Sequence, residues 1–275
     1  MSTVFVVALR AEGIASSARA TRVADQIRLM RKASVRRPVF LSPVRRNADD
    51  PYTPRTMRAL VTGGTGRLGS AITERLRAEG WSVVAAGRAD GDLADAQAAQ
   101  DLVERAADEL GGLDLLVNAA GEGFAPKPVE AVTEADWDAA LGATAKGSFF
   151  VTQASARHLR EAGGVVVMIE DVAAYQPWPA FAPHSAAKAA QAMLTRIFAR
   201  ALAPEVRVCG VAPGPVAADP GQEERRAGET LLGRVGSPAD VADAVLYLAG
   251  AAFVTGSSLV VDGGRMLQTG PPREA

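Results

Sequence analysis

Leu60-Val61-Thr62-Gly63-Gly64-Thr65-Gly66-Arg67-Leu68-Gly69-Ser70-Ala71-Ile72-Thr73-Glu74-Arg75-Leu76 is the stretch that decides the fold. The apolar run 59–61 meets a turn punctuated by Gly63, Gly66 and Gly69, and helical periodicity then starts with Leu68, Ile72 and Leu76. That pattern reads as strand, tight turn, helix. Gly63 allows the sharp turn, Gly66 lets a ligand approach the backbone, and Gly69 lets helix and strand pack closely. The first-turn N–H groups of such a helix face the ligand, and the helix dipole favours an anion such as a pyrophosphate. A glycine turn alone would be an ordinary turn. With a strand before it and a helix after it, the stretch is read as a nucleotide site.

Outward from this turn, strands and helices alternate. Apolar, β-branched runs at 81–86, 113–118, 165–169, 206–211 and 258–261 read as strands. Helical patterns lie between them at about 95–110, 134–160, 185–202 and 238–249. The expected fold is α/β, a doubly wound domain whose parallel sheet has helices on both faces. Ligands in such sheets sit at the carboxyl ends of the strands, where the strand order reverses. The longest loop, 213–236, is rich in Gly, Pro and charge, and its 217–233 portion is the expected substrate lid.

The 275 residues, 48% of them hydrophobic, are enough for one large domain. A single cysteine, Cys209, excludes a disulfide framework and a cysteine zinc site, and two histidines, His158 and His184, argue against a histidine-rich metal centre. No metal is expected. No apolar run approaches bilayer-spanning length, so no membrane partner is expected and the location is taken as cytoplasmic.

The net charge of −1 hides an asymmetry. Residues 1–56 carry 11 Lys and Arg against 4 Asp and Glu, a net of +7, while residues 57–275 carry 19 against 27, a net of −8. The acidic domain gives no support for nucleic-acid binding. The basic segment 1–56 is read as a disordered extension or as sequence upstream of a true start at Met57. An organelle transit peptide and a basic arm for anionic surfaces are the other readings. The domain is placed at residues 57–275.

Several motifs in order carry a resemblance over 58–267. They are the glycine turn, Asp92-Leu93, Asn118-Ala119-Ala120-Gly121, Trp137-Asp138 and His184-Ser185-Ala186-Ala187-Lys188. Pro213-Gly214, Gly233-Arg234-Val235-Gly236 and Val261-Asp262-Gly263-Gly264 complete the set. The chain resembles the short-chain dehydrogenase/reductase family. The resemblance implies a single Rossmann-type domain of about seven parallel strands that binds NAD or NADP for hydride transfer. Within the family it is most similar to the pteridine-reductase branch, on Arg67 in the glycine turn, Asp171 at the usual serine position and the pair Gln176-Pro177.

For the cofactor, the end of the second strand is informative. An acidic residue there would accept from a ribose 2′-hydroxyl and select NAD. Gly87 and Arg88 stand there instead, and Arg88 with Arg67 would hold a 2′-phosphate, because a guanidinium matches phosphate oxygens bidentately. The expected cofactor is NADP(H). Three residues separate Arg88 from Asp92, where the family usually has a helix, so the adenine side is trimmed. By resemblance the cofactor meets Gly63, Thr65, Gly66, Arg67, Leu68 and Gly69 at the turn. Asp92 and Leu93 border the adenine, and Asn118, Ala119, Gly121, Lys188, Pro213 and Gly214 line the rest.

The family's reaction uses a tyrosine four residues before a lysine, and the lysine holds the nicotinamide ribose and lowers the tyrosine's pKa. Here Lys188 is present but His184 occupies the tyrosine position, Asp171 the serine position and Thr144 the accessory asparagine position. Two readings stand. In one, His184 is the proton donor, oriented by Asp171, since an imidazole exchanges protons in the neutral range. In the other, the site is a relic, and a catalytically silent NADP(H)-binding protein acts as sensor or assembly partner. The first is preferred because Lys188 and a carboxylate–imidazole pair occur together. The candidate catalytic residues are therefore His184, Lys188 and Asp171. Phe124, Trp178 and Phe181 are candidate walls for a flat small-molecule substrate such as a pterin. The resemblance further implies a homo-oligomer joined through the two long helices.

Overall fold

The structure, a computed structural model, describes residues 56–123, 125–216 and 221–268. The expectations for residues 1–55 lie outside the described residues. Six parallel strands form one sheet: β1 (Arg58–Thr62), β2 (Ser82–Ala86), β3 (Leu115–Asn118), β4 (Val165–Ile169), β5 (Arg207–Pro213) and β6 (Ser258–Val261). Their order is β2-β1-β3-β4-β5-β6, so the chain turns back at the β1/β3 boundary. There Thr62 stands level with Asn118 at the carboxyl ends of both strands. That boundary is the switch point at which α/β sheets bind ligands.

Among the described residues there are seven α-helices: α1 (Arg67–Ala78), α2 (Ala96–Leu110), α3 (Glu134–Leu141), α4 (Gly147–Ala162), α5 (Ala182–Leu202), α6 (Glu223–Gly228) and α7 (Pro238–Gly250). Successive strand residues point to opposite faces, and each face has its own core. Ala59, Val61, Val117, Val167 and Val211 pack under Ile72 and Leu76 of α1 and Val241 and Val245 of α7. Leu60, Leu116, Val166 and Val208 pack under Val103 of α2, Val151 of α4 and Phe198 of α5. Each such side chain contributes about 1.5–3 kcal/mol on burial. Burial on both faces is why β4 reads Val-Val-Val-Met-Ile without alternation. No helix among the described residues is long and apolar enough to cross a membrane.

Three sequence expectations are corrected. The sheet has six described strands where about seven were expected by resemblance. Between β2 and α2 there is only the 3₁₀ turn Arg88–Asp90, because so short a segment cannot hold a crossover of about a dozen residues to another parallel strand. The single helix expected over 134–160 is two helices joined by a π-turn, Gly142–Lys146. Gly142 and Gly147 sit tightly against the segment after β2: a Cβ would lie 3.2 Å from Ala94 Cβ at one and 3.1 Å from Leu93 Cβ at the other. The extra residue in the turn leaves Thr144 buried. Finally, α5 starts at Ala182 and not at Ser185, since Pro183 occupies the first turn, where its missing N–H costs nothing.

A buried polar cluster ties the sheet together below the carboxyl end of β4. Glu170 is 2% exposed. It accepts from Thr195 Oγ1 at 2.7 Å, Ser258 Oγ at 3.0 Å and the Tyr175 hydroxyl at 2.6 Å. Burial and then the Glu170 carboxylate push the Tyr175 phenol up to about 12. Gly210 of β5 makes room for this cluster: a Cβ there would overlap Glu170 Oε1 and approach Ser258 Oγ to 2.6 Å. Gly210→Ala is expected to destabilise the domain by about 1–3 kcal/mol, the usual cost of overpacking. Thermal denaturation checks this, and an unchanged midpoint would mean that Glu170 moves aside freely.

Candidate active site

The glycines of the first turn are fixed by close approach. Gly63 has a φ of +65°, and a Cβ on it would lie 2.6 Å from the Ala119 carbonyl oxygen. A Cβ on Gly69 would overlap the Gly63 carbonyl oxygen. Gly66 is the N-cap of α1 and supplies no capping side chain. The first turn of α1 thus has no side-chain cap from Gly66, at the edge of the sheet's switch point, an arrangement suited to an anion. Arg67 and Leu68, the first residues of α1, stand on the wall of a cleft of ≈ 1060 Å³.

The same cleft brings together most of the residues singled out from sequence. Ala119 and Gly121 enter from the end of β3, Pro213 and Gly214 from the end of β5, and Asp171 from the end of β4. His184 and Lys188 enter from α5. Trp178 and Phe181 form an edge-on pair on the wall, ring centres 6.0 Å apart. Phe124 lies outside the described residues.

Other residues are not on that wall. Asn118 is buried beneath it, its Nδ2 donating to Thr152 Oγ1 at 2.9 Å, while its Oδ1 is buried with no hydrogen-bond partner among the described residues. Asp92 accepts from the Ala94 N–H at 2.9 Å, and Leu93 packs on the α2/α4 core. Thr65 stands against Gly87, so tightly that a Cβ on Gly87 would overlap Thr65 Oγ1. Arg88 is well exposed at the rim. Its Nη2 donates to both carboxylate oxygens of Glu122, at 2.9 and 3.0 Å.

The chemistry-bearing residues converge by simple geometry. His184 and Lys188 are four apart on α5 and so share one helix face. Asp171 caps the 3₁₀ turn Val172–Ala174: its Oδ1 accepts from the Ala173 N–H at 2.8 Å. The other oxygen, Oδ2, is left facing α5, 3.4 Å from His184 Nε2. His184 is buried, at 7% exposure. Lys188 donates from Nζ to the Ile169 carbonyl at 2.7 Å and to Gln191 Oε1 at 3.0 Å, and Gln191 in turn donates to Ser148 Oγ at 2.8 Å. Burial brings the Lys188 pKa down to about 8, against the pull of the Asp171 and Glu170 carboxylates toward the charged form. Thr144 lies under the loop after β3, where a Cβ on Gly121 would be 3.4 Å from its Oγ1.

Sequence reasoning did not single out several cleft residues: Glu122, Glu170, Arg225, Arg226, Glu229 and Arg265. For Glu170 a signal existed, since it directly follows a buried strand and precedes Asp171. Arg225 and Arg226 lie one helical turn before Glu229, a local charge pattern that reads as a solvated surface, and only the fold brings Arg265 to them.

A family model described as enoyl-(acyl carrier protein) reductase matches residues 71–265. The chain is similar to 4-formylbenzenesulfonate dehydrogenase TsaC1/TsaC2 of Comamonas testosteroni, 35% identical over 243 residues, spanning 75% of this chain and 96% of that one. It is similar also to 3beta-hydroxysteroid dehydrogenase 1 of Eggerthella lenta, 33% identical over 249 residues, 77% of this chain and 94% of the other. Among solved structures, the 3-ketoacyl-(acyl-carrier-protein) reductase from Brucella melitensis complexed with NADH superposes with a TM-score of 0.71 at 27% identity, covering 76% of this chain and 98% of that one.

Proposed function

The chain belongs to the short-chain dehydrogenase/reductase family, and on that premise we propose that it is an NADP(H)-dependent reductase of a carbonyl or imine, its substrate a flat, pterin-like ring. The observation that carries this is the convergence of His184 Nε2 and Asp171 Oδ2, 3.4 Å apart, on one cleft wall with Lys188. Arg67, Asp171 and Gln176-Pro177 are what favour the pteridine-reductase branch.

The residues present fit a dinucleotide. The start of α1, where Gly66 offers no side chain, and the glycine cradle accept a pyrophosphate. Arg67 and Arg88 carry the charge for a 2′-phosphate, and Gly87, with no acidic side chain, leaves it unopposed at that position. Glu122 is the competitor, for Arg88 must leave it to take a phosphate. Ala119, Gly121, Pro213 and Gly214 line the way to Lys188. When bound, NADPH supplies a hydride to the substrate carbon.

The protein's part is the proton. Asp171 Oδ2, beside His184 Nε2, orients the ring in the cleft. His184 is the group that delivers a proton to a substrate oxygen or nitrogen. Lys188, held by Ile169 and Gln191, places a positive charge beside the reacting atoms and offers its remaining donor to the nicotinamide ribose. Trp178 and Phe181 wall the substrate ring. The outward positions Trp137, Met193 and Ile197 of α3 and α5, each close to half exposed, are apolar surface for the family's subunit interface, which supports a homo-oligomer.

The test is a screen of aldehydes, ketones, imines and oxidised pterins followed by NADPH absorbance. Turnover supports the reductase, and no turnover with intact NADPH binding would favour a silent cofactor-binding protein. In calorimetry NADPH is expected to bind at least about tenfold more tightly than NADH, and Arg88→Ala to erase much of that difference. Equal affinities for the two cofactors in the wild type would remove the 2′-phosphate assignment.

A further inference from the structure

One wall of the cleft is built from α6 and the turn after β6, and among the described residues its charges do not balance. Three guanidinium groups converge on one carboxylate. Glu229 lies 2.7 Å from Arg225, 3.6 Å from Arg226 and 2.9 Å from Arg265. The group carries a net +2 on these charges. The other cleft carboxylates are engaged elsewhere: Glu122 with Arg88, Glu170 with hydroxyl donors, and Asp171 with His184 and the Ala173 N–H. Arg265 is also poorly served. Its Nη1 is buried, and its contact with Glu229 Oε2 has the distance of an ion pair without the geometry of a hydrogen bond.

The arrangement is built into the backbone. Gly263 and Gly264, at φ of +62° and +83°, turn the chain after β6 against Thr230 and Leu231, and Asp262 pins the turn by accepting from Gly264 and Met266. The Leu232 N–H donates to the Gly263 carbonyl at 3.1 Å, fastening the turn to the segment after α6. Arg265 is thereby held over the Trp178 ring at 4.8 Å, so the positive group adjoins the aromatic wall that leads to His184.

We infer that the substrate of this cleft carries a carboxylate, bound where Arg225, Arg226 and Arg265 converge on Glu229. A guanidinium surplus of this kind matches a planar oxyanion with paired N–H donors, and the aromatic wall beside it fits a ring that joins the anion to the reacting carbon. This rests on the reductase reading and narrows its substrate class to anionic carbonyl or imine compounds. The same donors would suit a phosphate of the cofactor, and the experiment separates the two.

Calorimetry with NADP⁺-saturated protein compares 4-carboxybenzaldehyde with the neutral 4-methylbenzaldehyde. The carboxylated probe is expected to bind at least about tenfold more tightly, with the difference shrinking as salt rises. Arg226→Gln and Arg265→Gln should each reduce the preference and leave the NADPH Kd within about twofold of wild type. Glu229→Gln should act in the opposite direction and tighten the carboxylated probe, a gain that misfolding cannot produce. Equal binding of the two probes to the wild type would overturn the inference. So would parallel losses of NADPH affinity in the arginine variants, which would assign these groups to the cofactor's phosphates. If no carbonyl compound is turned over and the charge preference persists, the anion site stands and the reductase reading falls. Turnover without any charge preference would sink the anion site alone.

Discussion

Replacing His184 by phenylalanine is expected to lower turnover by about 10²–10⁴-fold, the usual worth of a positioned general acid, with NADPH affinity nearly unchanged. The ring is buried beside Asp171 on the cleft wall, so a phenyl group of similar bulk keeps the packing and removes the proton. Turnover unaffected by His184→Phe would transfer the proton to Asp171 or to water. His184→Tyr is the complementary variant, restoring the family's usual acid. Activity appearing only in that variant would mark the wild-type protein as a cofactor binder.

Lys188→Ala carries the second large effect, expected to reduce both NADPH affinity and turnover, the latter by about 10²–10³-fold for a lost fixed charge at the reacting centre. The pH dependence has a definite sign. Burial lowers the folded-state pKa of Lys188 to about 8 from its ordinary 10.5. On the proposed role of Lys188 as a cofactor contact, its ammonium is lost as pH rises through about 8, and wild-type NADPH affinity should fall with it. Lys188→Arg, which stays charged, should flatten the fall. Stability runs the other way. Between about pH 8 and 10.5 the unfolded chain binds the proton that the native state has released, so this residue's contribution to stability increases with pH across that window. Lys188→Met should abolish the increase in denaturant titrations, and an unchanged slope would show that Lys188 titrates alike in both states.

Much of the fold was legible because it is written in local periodicity. The strand Val165–Ile169 appears where its β-branched run places it, since a strand buried on both faces must be apolar throughout, and the half-exposed edge strand Ser258–Val261 was legible from its short apolar run alone. Helix ends were less legible. Pro183 reads as loop but sits in the first turn of α5, a position that propensity alone does not distinguish from a breaker. The π-turn at 142–146 has no periodic signature, because one extra residue in a helix changes the phase and not the composition.

The site divides in the same way. The chain itself determined the glycine turn, the i,i+4 pair His184 and Lys188, and the absence of an acidic residue at the end of β2, since each depends on neighbours within one or two helical turns. Only the tertiary structure decided that Glu122 holds Arg88 and that Arg265 joins Arg225 and Arg226 at the Glu229 carboxylate. Those meetings join the ends of separate strands and helices across the sheet. The sequence spacing between such ends reflects the length of the crossovers and carries no information about which side chains will touch.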